Sequence, residues 1–466
     1  MSSSVIPLDE LRAVRGRVIL PSDVDYDGAR QLFYGGMDRR PAVIVRVADA
    51  DDAARVIRAV REAGVDVAVR SGGHSLAGHS AVDDGVVLDL AEMNRLEIDP
   101  AARTAWADAG LTAAEYSIAA DAHDLATGFG DAGSVGIGGI TLGGGVGFLI
   151  RKHGLTIDSL LAAELVTADG EILRVDADSH PDLFWAIRGG GGNFGVATRL
   201  RFRLHEVGTI VGGMLIQPAT PDSIASFIDA ASEAPEELTA IANIMTAPPM
   251  PFLPEEAVGK PILFSMIVHA GDLDDGEKAV DVLRRVAEPI ADMTKRMRYP
   301  EIYLPEQEGF HPIDVVHTCF LDRFERGMAE TIVDRLERST AMMAAAQLRV
   351  LGGAVARVPA DATAFAHRDE PLMANFAAIF EDVEERPTHA AWLEEFVRAI
   401  GPGAGAYVNF LSHDGDTRMR EAFPGPTWDR LREIKRRYDP TNLFHHNQNI
   451  PPAEGASTWM DRSRQG

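Results

Sequence analysis

The chain has one cysteine, Cys319, among 466 residues, so no disulfide can form within it and a disulfide-stapled fold is excluded. Basic residues are also in deficit: 45 Lys and Arg against 70 Asp and Glu leave a formal net charge of −25. Such a balance repels phosphate backbones and anionic lipids, so neither nucleic acid nor a membrane surface is an expected partner, and a small molecule is. Metal-ligand spacing is missing too. His311 and His317 lack an acidic companion at ligand spacing, and no metal is expected. The N-terminus, Met1-Ser2-Ser3-Ser4-Val5-Ile6-Pro7, has no basic region followed by an apolar core, so the cytoplasm is the expected compartment. One window, 132–150, runs nineteen residues without a charge, but eight of them are glycine. Glycine disfavours helix by about 1 kcal/mol relative to alanine, so this window is expected to be an irregular loop lining a ligand rather than a membrane span. No internal repeat, low-complexity tract or heptad run is present, and oligomeric state stays open.

What is present suggests two or three domains, with 46% hydrophobic residues to fill their cores. The pattern opens as a strand (Ala42 to Val47), a helix and a strand (Val65 to Val69). Asp49 or Asp51 can cap the helix, Val56, Ile57, Val60 and Ala63 recur on one face, and Gly64 stops it. Strands follow at Val86 to Leu90 and Thr104 to Ala107, then a helix from Ala113 to Ala122. Asp169-Gly170, between Ala163 to Thr167 and Glu171 to Val175, is a strong hairpin signal. Gly190, Gly192 and Gly195 spell GxGxxG, yet the alternation from Val196 to Leu204 is that of a strand, so no helix dipole follows for a pyrophosphate and a Rossmann site is not expected. From about Val211 to Ala406 glycine clusters thin out and the pattern becomes that of a separate α+β unit, with strands at Pro261 to Val268 and Leu348 to Ala354 and a helix from Ala329 to Ala345. A last helix spans Thr427 to Tyr438, with Trp428, Leu431, Ile434 and Tyr438 at helical spacing.

The most telling stretch is Arg70-Ser71-Gly72-Gly73-His74-Ser75, a histidine in a glycine turn at the end of a buried strand. Gly72 and Gly73 let backbone approach a bulky anionic ligand that a Cβ would exclude, so a phosphate-bearing cofactor is the natural occupant. A capped turn with a surface histidine is the alternative reading of these six residues alone. Together with Gly130 to Gly154, Trp185 to Thr198 and Tyr438 to Pro452, the turn resembles the FAD-linked oxidases of the berberine-bridge-enzyme-like and 6-hydroxynicotine-oxidase-like family, within the vanillyl-alcohol-oxidase superfamily.

The resemblance implies an α+β fold: a two-part FAD-binding domain of the PCMH type with an inserted substrate domain that carries an antiparallel sheet covered by helices. The implied boundaries are 1–208 for the FAD-binding domain (core about 37–207), 209–406 for the substrate domain and 407–466 for the returning C-terminal segment. His74 matches the histidine that bears FAD covalently. Ala132 stands where bicovalent relatives have a cysteine, so a single tether is implied, and Cys319 lies far from the flavin motifs. The expected cofactor contacts are Arg70, Ser71, Gly72, Gly73 and Ser75 in the first turn, Ser134, Val135, Gly136, Gly138 and Gly139 in the second, and Gly143 and Gly144 beyond it. Gly195 and Val196 resemble the stretch packed near the adenosine half, and Asn447, Gln448 and Asn449 the segment near the isoalloxazine.

The reaction so implied is oxidation of an alcohol or amine carbon of a small organic molecule, with hydride passing to flavin N5 and oxygen reduced to hydrogen peroxide. Tyr407 resembles the tyrosine that acts on substrate. Its phenol titrates near ~10 unless a cation lowers it, and Lys152 and His153 are the candidate neighbours. His153 stands where many relatives have tyrosine and titrates near ~6.5, so it is expected to share the proton work with Tyr407. Val135 matches a position thought to control oxygen access, and its small side chain favours an oxidase. A dehydrogenase of the same fold with another acceptor, and a flavin-binding protein without turnover, are the alternatives.

Overall fold

The structure, a computed structural model, describes residues 5–305, 309–401, 403–412 and 415–454. Parallel strands Val43–Arg46, Val86–Asp89 and Val67–Arg70 lie side by side, with Arg17–Ile19 antiparallel at one edge. Valine and isoleucine fill them because both faces are covered. The helix Ala50–Ala63 starts where the Asp49 carboxylate accepts the Asp52 N–H, and ends at Gly64, whose φ of 63° suits glycine. Its Val56, Ile57 and Val60 seal one face of the sheet. A second, antiparallel sheet runs Leu96–Asp99, Thr104–Asp108, Val196–Arg203, Leu160–Val166 and Ile172–Asp176 in spatial order. Its last two strands form the hairpin expected at Asp169-Gly170. The GxGxxG stretch is followed by the expected strand, with only the 3-10 turn Gly191–Phe194 before it.

A larger antiparallel sheet makes up the other unit. In spatial order its main strands are Thr209–Pro218, Pro261–His269, Leu238–Thr246, Met343–Val350, Leu372–Phe380 and Ile313–Leu321. Helices Pro221–Glu233, Leu273–Arg284, Arg326–Glu337 and Arg386–Ile400 bury one face through Ile224, Phe227, Ile332 and Phe396. The opposite face packs on the first unit, where Phe148 and Leu149 meet Met245 and Phe264. The fold is thus α+β, with an antiparallel sheet covered by helices on one side.

Two expectations are corrected. The helix expected from Ala329 to Ala345 ends at Glu337, and Met343–Val350 is a strand. The alanine run favours helix by only tenths of a kcal/mol per residue, whereas as a strand it gains hydrogen-bonded ladders on both sides. The strand expected from Leu348 to Ala354 stops at Val350, because Gly352 and Gly353 take φ of 83° and 54°. The window 132–150 also contains the short helix Ile137–Leu142 besides its irregular parts. Among the described residues no helix is long and apolar enough to cross a membrane.

The C-terminal helix Pro426–Tyr438 returns to the first unit and buries Trp428, Leu431 and Ile434. Its Lys435 ammonium is fully buried, donating to the Asp439 carboxylate at 2.7 Å and to the carbonyls of Asn193 and Phe444 at 2.7 and 2.9 Å. Asp439 also accepts the N–H groups of Leu443 and Phe444. This knot fixes the path of the 442–450 run beside the site.

Candidate active site

Two glycine turns meet back to back. The strand Val67–Arg70 delivers the first, 71–75, against the second, around 134–136. A Cβ on Gly72 would lie 2.2 Å from the Gly136 nitrogen, and one on Gly136 would lie 2.2 Å from the Gly72 nitrogen, so only glycine permits the contact. The Ser71 hydroxyl donates to the Ala109 carbonyl at 2.6 Å. Arg70 reaches behind the turn, donating to the carbonyls of Ala29 and Gln31 at 2.5 and 2.6 Å. The loop so anchored stacks Phe33 on the His74 imidazole, with ring centres 4.1 Å apart and planes at 21°. Ser134 Oγ lies 2.7 Å from His74 Nε2, so the ring is held on a face and at an edge.

In front of these turns lies a cavity of about 300 Å³. Ser71, Gly72, Gly73, His74 and Ser75 line it from one turn, and Val135, Gly136, Gly138 and Gly139 from the other. Gly195, Asn447, Gln448 and Tyr407 complete the expected residues in its wall, and Ala132 lies there as well. The lining suits a long, partly anionic cofactor. A Cβ on Gly139 or Gly192 would meet nothing within 4 Å, so backbone there is open to a ligand. The Asn447 Nδ2 donates to the Phe444 carbonyl at 2.9 Å, while its buried Oδ1 has no hydrogen-bond partner among the described residues, an acceptor left for a ligand N–H.

Tyr407 closes one end. Its hydroxyl oxygen accepts the Gly145 N–H and the Asn409 amide, both at 3.0 Å. Burial raises the phenol's pKa; these hydrogen bonds and the nearby Arg349 pull the other way without reversing it. Asn409 approaches so closely that a Cβ on Gly143 would lie 2.0 Å from its Oδ1. Arg349, 2% exposed, donates to the Asp131 carboxylate at 2.6 Å, to the Val146 carbonyl at 2.9 Å and to Gln347 Oε1 at 2.8 Å. Its guanidinium stands 5.2 Å from the centre of the Phe410 ring, which lines the cavity. The cation beside Tyr407 is therefore Arg349. Along the same sheet face Asn243, Gln347, Asn375 and Thr318 pair in one register row. Gln347 donates to Asn243 Oδ1 at 2.9 Å, and Asn375 Oδ1 and Thr318 Oγ1 are buried without a partner among the described residues.

Lys152 and His153 are placed elsewhere, which departs from their expected role. Their helix, Ile150–His153, turns both toward other partners: Lys152 donates to the Ala270 carbonyl at 2.5 Å, and His153 stacks on His205 at 3.9 Å. Burial, then the His205 and Lys152 charges, drive the His153 pKa down to about 3. Neither lines the cavity. Gly143 and Gly144 stand behind the wall, where Asn409 and Phe365 occupy the space a Cβ would take. Val196 is buried in the core, and Asn449 is also outside the lining. Cys319 lies on the helix-covered face of the large sheet, its thiol pushed up to about 11 by burial. Sequence reasoning missed Phe33, Asn409, Gln347 and Arg349. The alternation of Ala345, Gln347 and Arg349 was the available signal for the last two, broken where one expected element ends at Ala345 and the next begins at Leu348.

The glycine turns that line this cleft lie partly within residues 41–176, which a model described as "FAD binding domain" matches, so the class is that of a flavin-dependent oxidoreductase. A second, described as "Berberine and berberine like", matches 406–451. (R)-6-hydroxynicotine oxidase from Paenarthrobacter nicotinovorans is 30% identical, covering 94% of this chain and 97% of its own. Berberine bridge enzyme-like C-1 from Nicotiana tabacum is 28% identical over 90% of this chain and 86% of its own. The crystal structure of 6-hydroxy-D-nicotine oxidase from Arthrobacter nicotinovorans superimposes with a TM-score of 0.85 at 28% identity, covering 95% and 99% of the two chains. The chain belongs to the berberine-bridge-enzyme-like family of FAD-linked oxidoreductases: it is an enzyme, and its cofactor is FAD.

Proposed function

We propose that the protein is an oxidase carrying FAD on His74 through one covalent bond, which oxidises an alcohol or amine carbon of a small organic molecule at the expense of oxygen. The observation that carries this reading is the clamp on His74, stacked on Phe33 and bound at Nε2 by Ser134, in the wall of a cavity that ends at Tyr407. A ring meant only to cap a turn has no need of two restraints.

Gly72, Gly73 and Gly136 line the cavity, and because N–H groups in glycine turns make an anion-binding nest without a lysine, this supports a phosphate-bearing cofactor there. Asn447 Oδ1 offers an acceptor for a ring N–H. FAD held there would supply a two-electron acceptor for the substrate hydride, and its reoxidation by oxygen, with two protons, would yield hydrogen peroxide. Tyr407 takes the proton that leaves the substrate's O–H or N–H, with Arg349 and the Asn409 amide stabilising the phenolate. Ala132 provides no second tether, and the small Val135 leaves space for oxygen.

A screen of sugars, benzylic and polyketide-type alcohols and cyclic amines for peroxide release tests the reading. Peroxide formed with one substrate class in step with oxygen uptake is expected. Fast anaerobic flavin bleaching followed by slow recovery in air would instead assign a dehydrogenase with another acceptor, and no bleaching by any compound would favour binding without turnover.

A further inference from the structure

We infer that Asp66, His445 and His446 form a binding site for one divalent metal ion of the zinc class, clipping the C-terminal run to the foot of the strand that carries the His74 turn. Each residue offers one ligand atom, and the three atoms lie within 4.8 Å of one another. The two histidines present Nε2 to separate oxygens of one carboxylate, each at 3.6 Å. Zinc–nitrogen and zinc–oxygen bonds of about 2.0–2.1 Å in a tetrahedron place neighbouring ligand atoms about 3.3 Å apart, so side chains whose ligand atoms lie within 4.8 Å of one another would draw in by up to about 1.5 Å to close the site.

Two further observations point to a ligand. His445 Nδ1 lies 2.9 Å from the Asn442 carbonyl, which can only accept, so Nδ1 carries the proton and Nε2 keeps its lone pair for a metal. The buried Nε2 of His446 has no hydrogen-bond partner among the described residues, although it points at Asp66. The Asp66 side chain is 58% exposed and that of His445 36%, so water can reach a fourth coordination position.

The consequence is mechanical. Asp66 immediately precedes the strand Val67–Arg70, and His446 lines the cofactor cavity one residue before Asn447. A metal on the three would brace that end of the cleft, independently of any substrate chemistry.

Untagged holoprotein, stripped with EDTA and dialysed, should take up one zinc per chain, measured by a competing chromophoric chelator and by elemental analysis after gel filtration. Bound zinc should raise the thermal midpoint. Asp66→Asn and His445→Ala should each weaken binding at least tenfold while flavin content is unchanged, and wild-type affinity should fall as pH drops through the histidine range. Absence of saturable binding at micromolar zinc, or variants that bind like the wild type, would overturn the site. The flavin absorbance of each variant separates loss of the site from loss of the fold.

Discussion

Ser134 Oγ lies 2.7 Å from Nε2 of His74, bridging the two glycine turns that press together at Gly72 and Gly136. The hydroxyl sets which ring nitrogen is engaged and how the imidazole is turned. Ser134→Ala should therefore keep FAD bound but lower the fraction attached covalently, read as flavin fluorescence of the polypeptide band after denaturing electrophoresis. Phe33→Ala, which removes the stacked face, should act in the same direction.

Tyr407 makes the sharpest catalytic prediction. Its raised pKa keeps the phenol protonated at neutral pH, so a step that needs the phenolate should quicken as pH rises. Tyr407→Phe keeps the ring but loses the proton carrier, and kcat should fall about 10²–10⁴-fold. Stopped-flow flavin reduction across pH should rise in the wild type and lie flat in the variant.

His153 and His205 form a stacked pair whose pKa values are driven down to about 3 and about 4, by burial first. Both are neutral in the folded chain, whereas the unfolded chain takes up protons below about pH 6.5. The unfolded state thus binds more protons between pH 6.5 and 4, and stability falls as pH drops through that window, by at most about 1.4 kcal/mol per pH unit for each histidine. His153→Phe should flatten this slope in denaturant titrations. Because His153 stands outside the cavity, the same variant should leave the pH profile of flavin reduction unchanged.

The Lys435–Asp439 pair is fully buried, so its loss should be felt at a distance. Lys435→Met strands a carboxylate in the core and should cost about 3–5 kcal/mol in chemical denaturation, with a lower fraction of chains carrying FAD because Asp439 holds the run that leads to Asn447. Arg436→Gln, which removes an exposed pair with Glu433, should leave the unfolding midpoint in place.

Much of the site was legible where a backbone feature has a local signature. Glycine pairs mark His74 and the second turn, and the strand after Gly195 excluded a Rossmann cleft by alternation alone. Residues brought in across the chain had no such mark. Asn409 reaches Tyr407 by a short local turn, but Arg349, although inside the strand expected from Leu348, belongs to a longer strand whose first half is alanines that favour helix, and only its pairing with Leu238–Thr246 and Leu372–Phe380 sets its face and register. Lys152 and His153 misled for the converse reason. Their place in the chain matches a motif, while a helix of only four residues turns their side chains away from the cavity.

The bond between His74 and FAD is tested most directly by intact-mass spectrometry of protein from riboflavin-replete cells, beside its His74→Ala variant. The wild type should be heavier than its polypeptide by one FAD and stay yellow after acid precipitation, and the variant should have the bare mass. A wild-type chain at bare mass, with all of its flavin in the acid supernatant, would contradict the tether.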